Sequence, residues 1–369
     1  MIIGVPKEIK NQEYRVGLTP NQTQSLVMQG HQVNVESKAG VGIGVSDEDY
    51  QASGAKIMSA SEVFKHADLV VKVKEPQANE IAMLRPGQIL FTYLHLAPDV
   101  DQTNLLITSG VTAIAYETVK NSQGTLPLLA PMSEVAGRLS IQAGAHHLEK
   151  IQGGSGCLLS GIPGVKATQV LILGAGIVGT NALQIAMGMG ASVTIVDKNI
   201  HRLRELDQLY GNRIQTLFAD DGTLSKLYKE ADLVIGAVLI PGGSAPKLLR
   251  HEHLKLMRKG SVIVDVAIDQ GGCFETSHAT CHDAPTYEVD GIVHYCVANM
   301  PGAVPITSTY GLTNATFPYI EMLANNGFQK AVQVSAALRE GVSVYEHYLT
   351  CSAVSNSQKR PYKEIGTFL

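Results

Sequence analysis

A chain of 369 residues, 45% apolar and 17% charged, is long enough for two domains that each bury a core, with a cleft expected between them. Its 29 basic and 33 acidic side chains leave a net charge of −4 with no basic block or aromatic platform, which argues against a nucleic-acid partner. The opening MIIGVPKEIK turns charged too early for a signal peptide, no 18-residue apolar run follows, and the five scattered cysteines suit a reducing compartment, so a soluble, cytoplasmic protein without a membrane partner is expected.

Along the chain, short apolar runs alternate with helical patterns. Strands are expected at 2–5, 32–37, 68–74, 88–96 and 111–117, and helices from Thr19-Pro20 to Gly30, near 59–66, at 77–84 and at 98–109. Thr19 reads as an N-cap, Pro20 as the first helical position and Gly30 as the stop. Such βα repetition implies a mostly parallel sheet covered by helices. Residues 133–150 read as a connecting helix, followed by a glycine-rich hinge at 153–165. Strands at 168–173, 193–197, 214–219, 232–239, 261–268 and 293–298 then fit a doubly wound nucleotide domain. Two helical stretches, 308–325 and 328–349, break at Asn325-Asn326-Gly327 and are expected to carry the chain back to the first domain. The polar tail, 352–369, is expected to hold little fixed structure.

The segment VLILGAGIVG (170–179) joins an apolar strand, a glycine turn and a helix, and the strand VTIVD closes on Asp197. Gly174 permits the tight turn, Gly176 removes a side chain that would block a pyrophosphate, and Gly179 lets the helix pack closely on the sheet. Asp197, eighteen residues beyond Gly179, is placed to accept hydrogen bonds from an adenosine ribose and to repel a 2′-phosphate, which favours NAD over NADP. Cys273, Cys281 and His282 match no common zinc spacing, and no metal is expected.

Four candidates for chemistry fall near expected strand ends, where ligands of open α/β sheets collect. Arg15 suits a carboxylate through its planar guanidinium, and Lys74, at the end of DLVVKVK, suits a carboxylate or a carbonyl. His95, in FTYLHL, supplies the side-chain type suited to proton transfer near neutral pH, and Asp269 ends VIVDVAID just before Gly271 and Gly272. Each alone also reads as a surface charge or an interior histidine.

Together, GVPKEIKNQEYRVGLTP (4–20), KVKEP (72–76), FTYLHLA (91–97), LLAPMSEVAGRLSIQAGA (128–145), GAGIVG (174–179), DVAIDQGG (265–272) and VANMPGAVP (297–305) resemble, in order, the signatures of the alanine dehydrogenases. The resemblance implies a homohexamer of two-domain subunits that interconverts L-alanine with pyruvate and ammonia using NAD. It implies two doubly wound α/β domains, a Rossmann NAD-binding domain (129–306) inserted into a flavodoxin-like substrate domain (1–128 and 307–369). Carried over by position, it makes Arg15 and Lys74 substrate binders, His95 the acid/base and Asp269 a second catalytic residue. On the cofactor side it points to Ser133, Ile177, Val178, Asp197, Arg202, Val238, Leu239, Val266, Ala267, Ile268, Asp269, Val297, Ala298, Asn299 and Met300.

Two positions depart from the family's pattern: Ala219 stands where a serine is usual near the adenosine, and His278 where an arginine is usual. The first removes a hydrogen bond worth about 0.5–1.5 kcal/mol net, and the second exchanges a permanent cation for a titratable group. Two rival readings share the glycine turn: the NAD-binding part of a transhydrogenase, and a catalytically silent NAD-binding module that senses redox state.

Overall fold

The computed structural model describes residues 1–238 and 245–369, which form two compact units, Met1–Met132 with Val304–Leu369 and Ser133–Ala303. In chain order the strands are β1 (Ile2–Val5), β2 (Gln32–Glu36), β3 (Lys56–Met58), β4 (Leu69–Val71), β5 (Ile89–Thr92) and β6 (Thr112–Ala115) in the first unit. The second unit holds β7 (Gln169–Leu173), β8 (Ser192–Asp197), β9 (Gln215–Phe218), β10 (Leu233–Gly236), β11 (Val262–Asp265), β12 (Thr286–Val289) and β13 (Ile292–Tyr295). The chain then returns to the first unit with β14 (Val342–Tyr345) and β15 (Tyr348–Leu349).

The first sheet has the order β15-β14-β6-β5-β4-β1-β2-β3. Leaving aside the three-residue edge strand β3, its parallel strands follow the flavodoxin-like order, with a switch point between β1 and β4. The second sheet, β12-β13-β11-β10-β7-β8-β9, has its switch point between β7 and β10, the nucleotide-binding arrangement, with β12 added antiparallel at one edge. Strands β4, β5, β6, β10 and β11 are buried at every position, which is why they read as continuous apolar runs rather than alternating ones.

Local chemistry explains most element ends. The helix Pro20–Met28 opens with Thr19 and Gln22 in a capping box and with proline at its first position. The expected strands 68–74 and 88–96 are shorter, because their apolar runs continue past the ladder into loops that are themselves buried, including Val73, Leu94 and Leu96. The expected helix 77–84 keeps its regular part only over Ala78–Ile81. The connecting helix occupies Ala130–His147, three residues earlier than 133–150.

The C-terminal region departs furthest from the periodic reading. A helix over Pro305–Val334 contains Gly327 at φ 72°, the break expected at Asn325-Asn326-Gly327. The helical pattern read over 328–349 continues, after a break at Ser335, in a short helix, Ala336–Gly341, and is overturned beyond Gly341 by β14, which pairs antiparallel with β6 and β15. The segment VSVY alternates β-branched and polar residues beside an available sheet edge, and that tertiary partner decides its conformation. The tail is ordered too. Its helix Ser352–Gln358 ends with the Gln358 amide donating to the Leu96 carbonyl at 2.7 Å, and Arg360 donates to Asn104 Oδ1 at 2.8 Å. The helix Asp47–Ala52, β3 and β12 went unread, being short elements.

Candidate active site

In the second unit the glycine turn leaves β7 at the switch point and enters the helix Ile177–Gly188. Gly174 sits at φ 103°, and a Cβ there would meet the Ala237 carbonyl oxygen and Val238 Cγ2, both at 2.8 Å. At Gly179 a Cβ would lie 1.8 Å from the Gly174 carbonyl oxygen, so the helix seats against the strand end only because no side chain intervenes. Around Gly176, by contrast, a Cβ would meet nothing within 4 Å. That open space lies at the start of a helix with no side-chain cap, where backbone N–H groups face outward, and it suits a pyrophosphate.

Asp197 and Arg202 shape the same turn. The Asp197 carboxylate accepts the Ala175 N–H at 2.7 Å and the Asn199 N–H at 2.8 Å. Arg202 donates through Nε to the Ala175 carbonyl at 2.9 Å, through Nη2 to the Thr180 hydroxyl at 2.8 Å, and through Nη1 to Glu205 at 2.7 Å. An open depression of about 500 Å³ is lined by Ala175, Gly176, Ile177, Asp197, Asn199 and Arg202 among others. The turn, the acidic strand end and this depression fit a dinucleotide. Converting Asp197 to Ala is expected to weaken NADH about tenfold, the worth of one or two charge-assisted hydrogen bonds, and to let NADPH bind. Fluorescence titration with both nucleotides checks this.

The remaining cofactor candidates sit where the neighbouring strands end. Val238 follows β10, Val266–Ile268 follow β11, and Val297–Met300 follow β13, three strands that lie side by side next to β7. Val178 is buried in the first turn of the glycine helix, Asn299 takes a left-handed conformation at φ 61°, and Ser133 is half-buried in the first turn of the connecting helix. Leu239 lies outside the described residues. Ala219 is buried behind β9, and the His278 ring stacks on Tyr287 at 3.6 Å between centroids.

Asp269 is exposed on the turn Ile268–Gln270, with Gly271 and Gly272 at φ 85° and 76° just beyond it. Asp265, which sequence reasoning passed over, anchors this loop from inside. Its buried carboxylate accepts the N–H groups of Ala267, Cys273 and Phe274 at 3.1–3.2 Å and the Ser277 hydroxyl at 2.6 Å. Burial pushes its carboxyl above the ordinary range in spite of those bonds. An aspartate inside the apolar run VIVDVAI is itself a signal, since a buried carboxylate needs such partners.

In the first unit, three candidates gather at the C-terminal edge of the sheet around its switch point. Arg15 is 2% exposed and pairs with Glu13 through Nε–Oε1 at 2.6 Å and Nη2–Oε2 at 2.5 Å, while Nη1 meets Met132 Sδ at 3.0 Å. Burial alone would depress its guanidinium, but the Glu13 bonds outweigh that and hold it charged. Lys74, also buried, follows β4, and its backbone is tied to Glu8 Oε1 and to the Thr92 hydroxyl. Although burial would raise it, Lys74 and Lys10 hold the Glu75 carboxyl below the usual carboxylate range.

His95 follows β5 with φ 48°, an uncommon conformation for a side chain of its size. Both Glu117 oxygens take the Leu94 N–H at 3.2 Å, and Oε1 takes the His95 N–H at 2.6 Å. The ring lies exposed and stacked on Tyr93, centroids 5.7 Å apart, and Tyr93 in turn feels the Arg15 charge. Below these groups is a buried triad that sequence reasoning also missed: Lys72 donates to Glu8 at 3.2 Å and to Glu80 at 2.7 Å. Burial raises the Glu8 carboxyl, and Lys72 opposes that rise. A lysine inside the apolar run LVVKVK was its sign in the sequence.

The geometry can therefore offer a guanidinium, an ammonium and an imidazole on one unit, and a dinucleotide turn with an exposed carboxylate on the other. No helix among the described residues is long and apolar enough to cross a membrane. Residues 4–136 match the family model described as "Alanine dehydrogenase/PNT, N-terminal domain", and residues 140–352 match "Alanine dehydrogenase/PNT, C-terminal domain". An alanine dehydrogenase of Halomonas elongata is 53% identical over 370 residues, covering 100% of each chain. A solved L-alanine dehydrogenase superposes with a TM-score of 0.94 at 52% identity, over 97% of this chain and 99% of that one. A transhydrogenase from Sinorhizobium meliloti shares the fold, with a TM-score of 0.81 at 23% identity over 96% of this chain and 100% of that one. By its two matched models and its end-to-end identity, this chain belongs to the alanine dehydrogenase/PNT family.

Proposed function

We propose that the protein is an NAD-dependent L-alanine dehydrogenase, which converts L-alanine, water and NAD⁺ into pyruvate, ammonium, NADH and a proton and runs the reverse amination. What supports the reading is that Arg15, Lys74 and His95 lie in the loops that follow β1, β4 and β5, three strands side by side in one sheet. A hydride shuttle between two nucleotides needs no such set, and a silent module needs none of it.

The cofactor candidates around Gly174, Gly176, Gly179 and Asp197 are assigned to hold NAD, whose nicotinamide accepts or returns the hydride when bound. Arg15 and Lys74 take the substrate carboxylate, and Glu13 fixes the plane of the guanidinium so that the grip is directional. Once the Cα–H hydride has left and that carbon is an iminium, His95 accepts the proton of the water that adds there and gives it back to the carbinolamine nitrogen, which departs as ammonia while the hydroxyl loses its proton and the carbonyl forms. Asp269, ionised, orients that water or the amino group.

The direct test is NADH consumption with ammonium and a panel of oxo acids. Pyruvate is expected to be the best acceptor, and no consumption with any member would refute the reading. The family resemblance further supports a cytoplasmic homohexamer, which light scattering on the purified chain examines.

A further inference from the structure

The loop that presents Asp269 is gripped from two sides. Asp265 gathers its N–H groups from within, as described above. On its outer side the segment beginning at Ala245 runs alongside: the Ala245 N–H donates to the Gln270 carbonyl at 3.3 Å, the Leu248 N–H to the Cys273 carbonyl at 2.8 Å, and Leu249 bridges Phe274 in parallel. From this segment the Lys247 ammonium donates to the carbonyls of Gly271, Gly272 at 2.9 Å and Phe274 at 3.2 Å.

An ammonium carries three N–H donors, and three carbonyls converge on this one. The left-handed conformations of Gly271 and Gly272, φ 85° and 76°, bring their two carbonyls to a single point. A surface lysine ordinarily keeps its head in water and its rotamers free. Here that freedom is given up to cap backbone oxygens one, two and four residues past the Ile268–Gln270 turn. A compact point charge with three rotatable donors suits this target better than a planar fork.

We propose that Lys247 is a positioning residue of the reaction: by capping these three carbonyls it fixes the turn that carries Asp269. The assignment rests on the dehydrogenase reading, in which Asp269 and the residues just before it serve catalysis and cofactor. A displacement of about 1 Å at a reacting group can cost on the order of a hundredfold in rate, so loosening the turn has a measurable price.

Lys247→Met is expected to lower kcat roughly tenfold and to weaken NADH, read by fluorescence titration, by about threefold or more. KM for pyruvate is expected to stay within about twofold, because Arg15 and Lys74 belong to the other unit. In combination with Asp269→Asn, Lys247→Met should cost little more than Asp269→Asn alone, as residues acting through one turn are not additive. Lys247→Arg should fall between parent and Met, and it reports the same quantities should the Met variant fold poorly. A Met variant with kcat and NADH affinity within about twofold of the parent overturns the proposal, as does full additivity with Asp269→Asn. If the parent chain itself consumes no NADH with pyruvate and ammonium, the dehydrogenase reading fails instead.

Discussion

Changing His95 to Ala is expected to lower kcat for pyruvate amination by about 10²–10⁴-fold, the usual worth of a positioned acid/base. NADH affinity should change by less than about twofold, because the residues assigned to the cofactor belong to the other compact unit. The fold should tolerate the change: the imidazole is exposed, and the strained backbone at φ 48° is held through its N–H by Glu117 rather than through the ring. His95→Asn is the useful companion, since asparagine accepts left-handed backbone more readily than alanine does. Both variants should lose rate to a similar extent, which separates lost proton transfer from lost conformation. Stopped-flow and steady-state rates that remain within tenfold of the parent would remove His95 from the role.

Gly179→Ala should be the most damaging small substitution in the second unit. Its new Cβ would stand 1.8 Å from the Gly174 carbonyl oxygen and 3.3 Å from Ile172 Cγ2, so a backbone oxygen, not a pliable side-chain tip, receives it. The helix Ile177–Gly188 must back away, and the opening at Gly176 moves with it. A cost of about 3 kcal/mol or more in stability is expected, the upper end of overpacking, with NADH affinity lost by about a hundredfold or beyond detection. Gly188 supplies the contrast within the same helix. A Cβ there meets nothing within 4 Å, and Gly188→Ala should be neutral or stabilising by about 0.4–1 kcal/mol. Melting temperatures and NADH titrations of the two variants side by side test the geometric account. Equal behaviour would contradict it.

Much of this architecture was legible in the chain because its signals are local. Apolar runs of strand length separated by capped helices announced both parallel sheets, and the Gly174-Ala175-Gly176 turn followed by Asp197 announced the nucleotide half. What escaped depended on partners far away in sequence. Residues 342–345 carry a pattern that either helix or strand accepts, and the free edge of β6 settles it. The tail looked unpatterned because its anchor is polar, the Gln358 amide reaching carbonyls near residue 96. In the candidate site, Arg15, Lys74, His95 and Asp269 stood out by residue type beside expected strand ends. Glu13, Glu117 and Asp265 did not, since their importance lies in the guanidinium, the N–H groups and the hydroxyl they hold, and composition says nothing about who holds whom.

The buried trio of Glu8, Lys72 and Glu80, each side chain at most 3% exposed, constrains how the sequence can drift. Losing Lys72 alone strands two carboxylates together without water, losing Glu8 also releases the backbone N–H groups of Val73 and Lys74, and losing Glu80 releases that of Gln77. Breaking a buried pair by one partner typically costs about 3–5 kcal/mol, while replacing all members with well-packed apolar residues is often neutral. These three positions are therefore coupled in inheritance: a descendant chain reaches an oily version of this layer by simultaneous exchange far more easily than by single steps, each of which passes through a poorly folding ancestor.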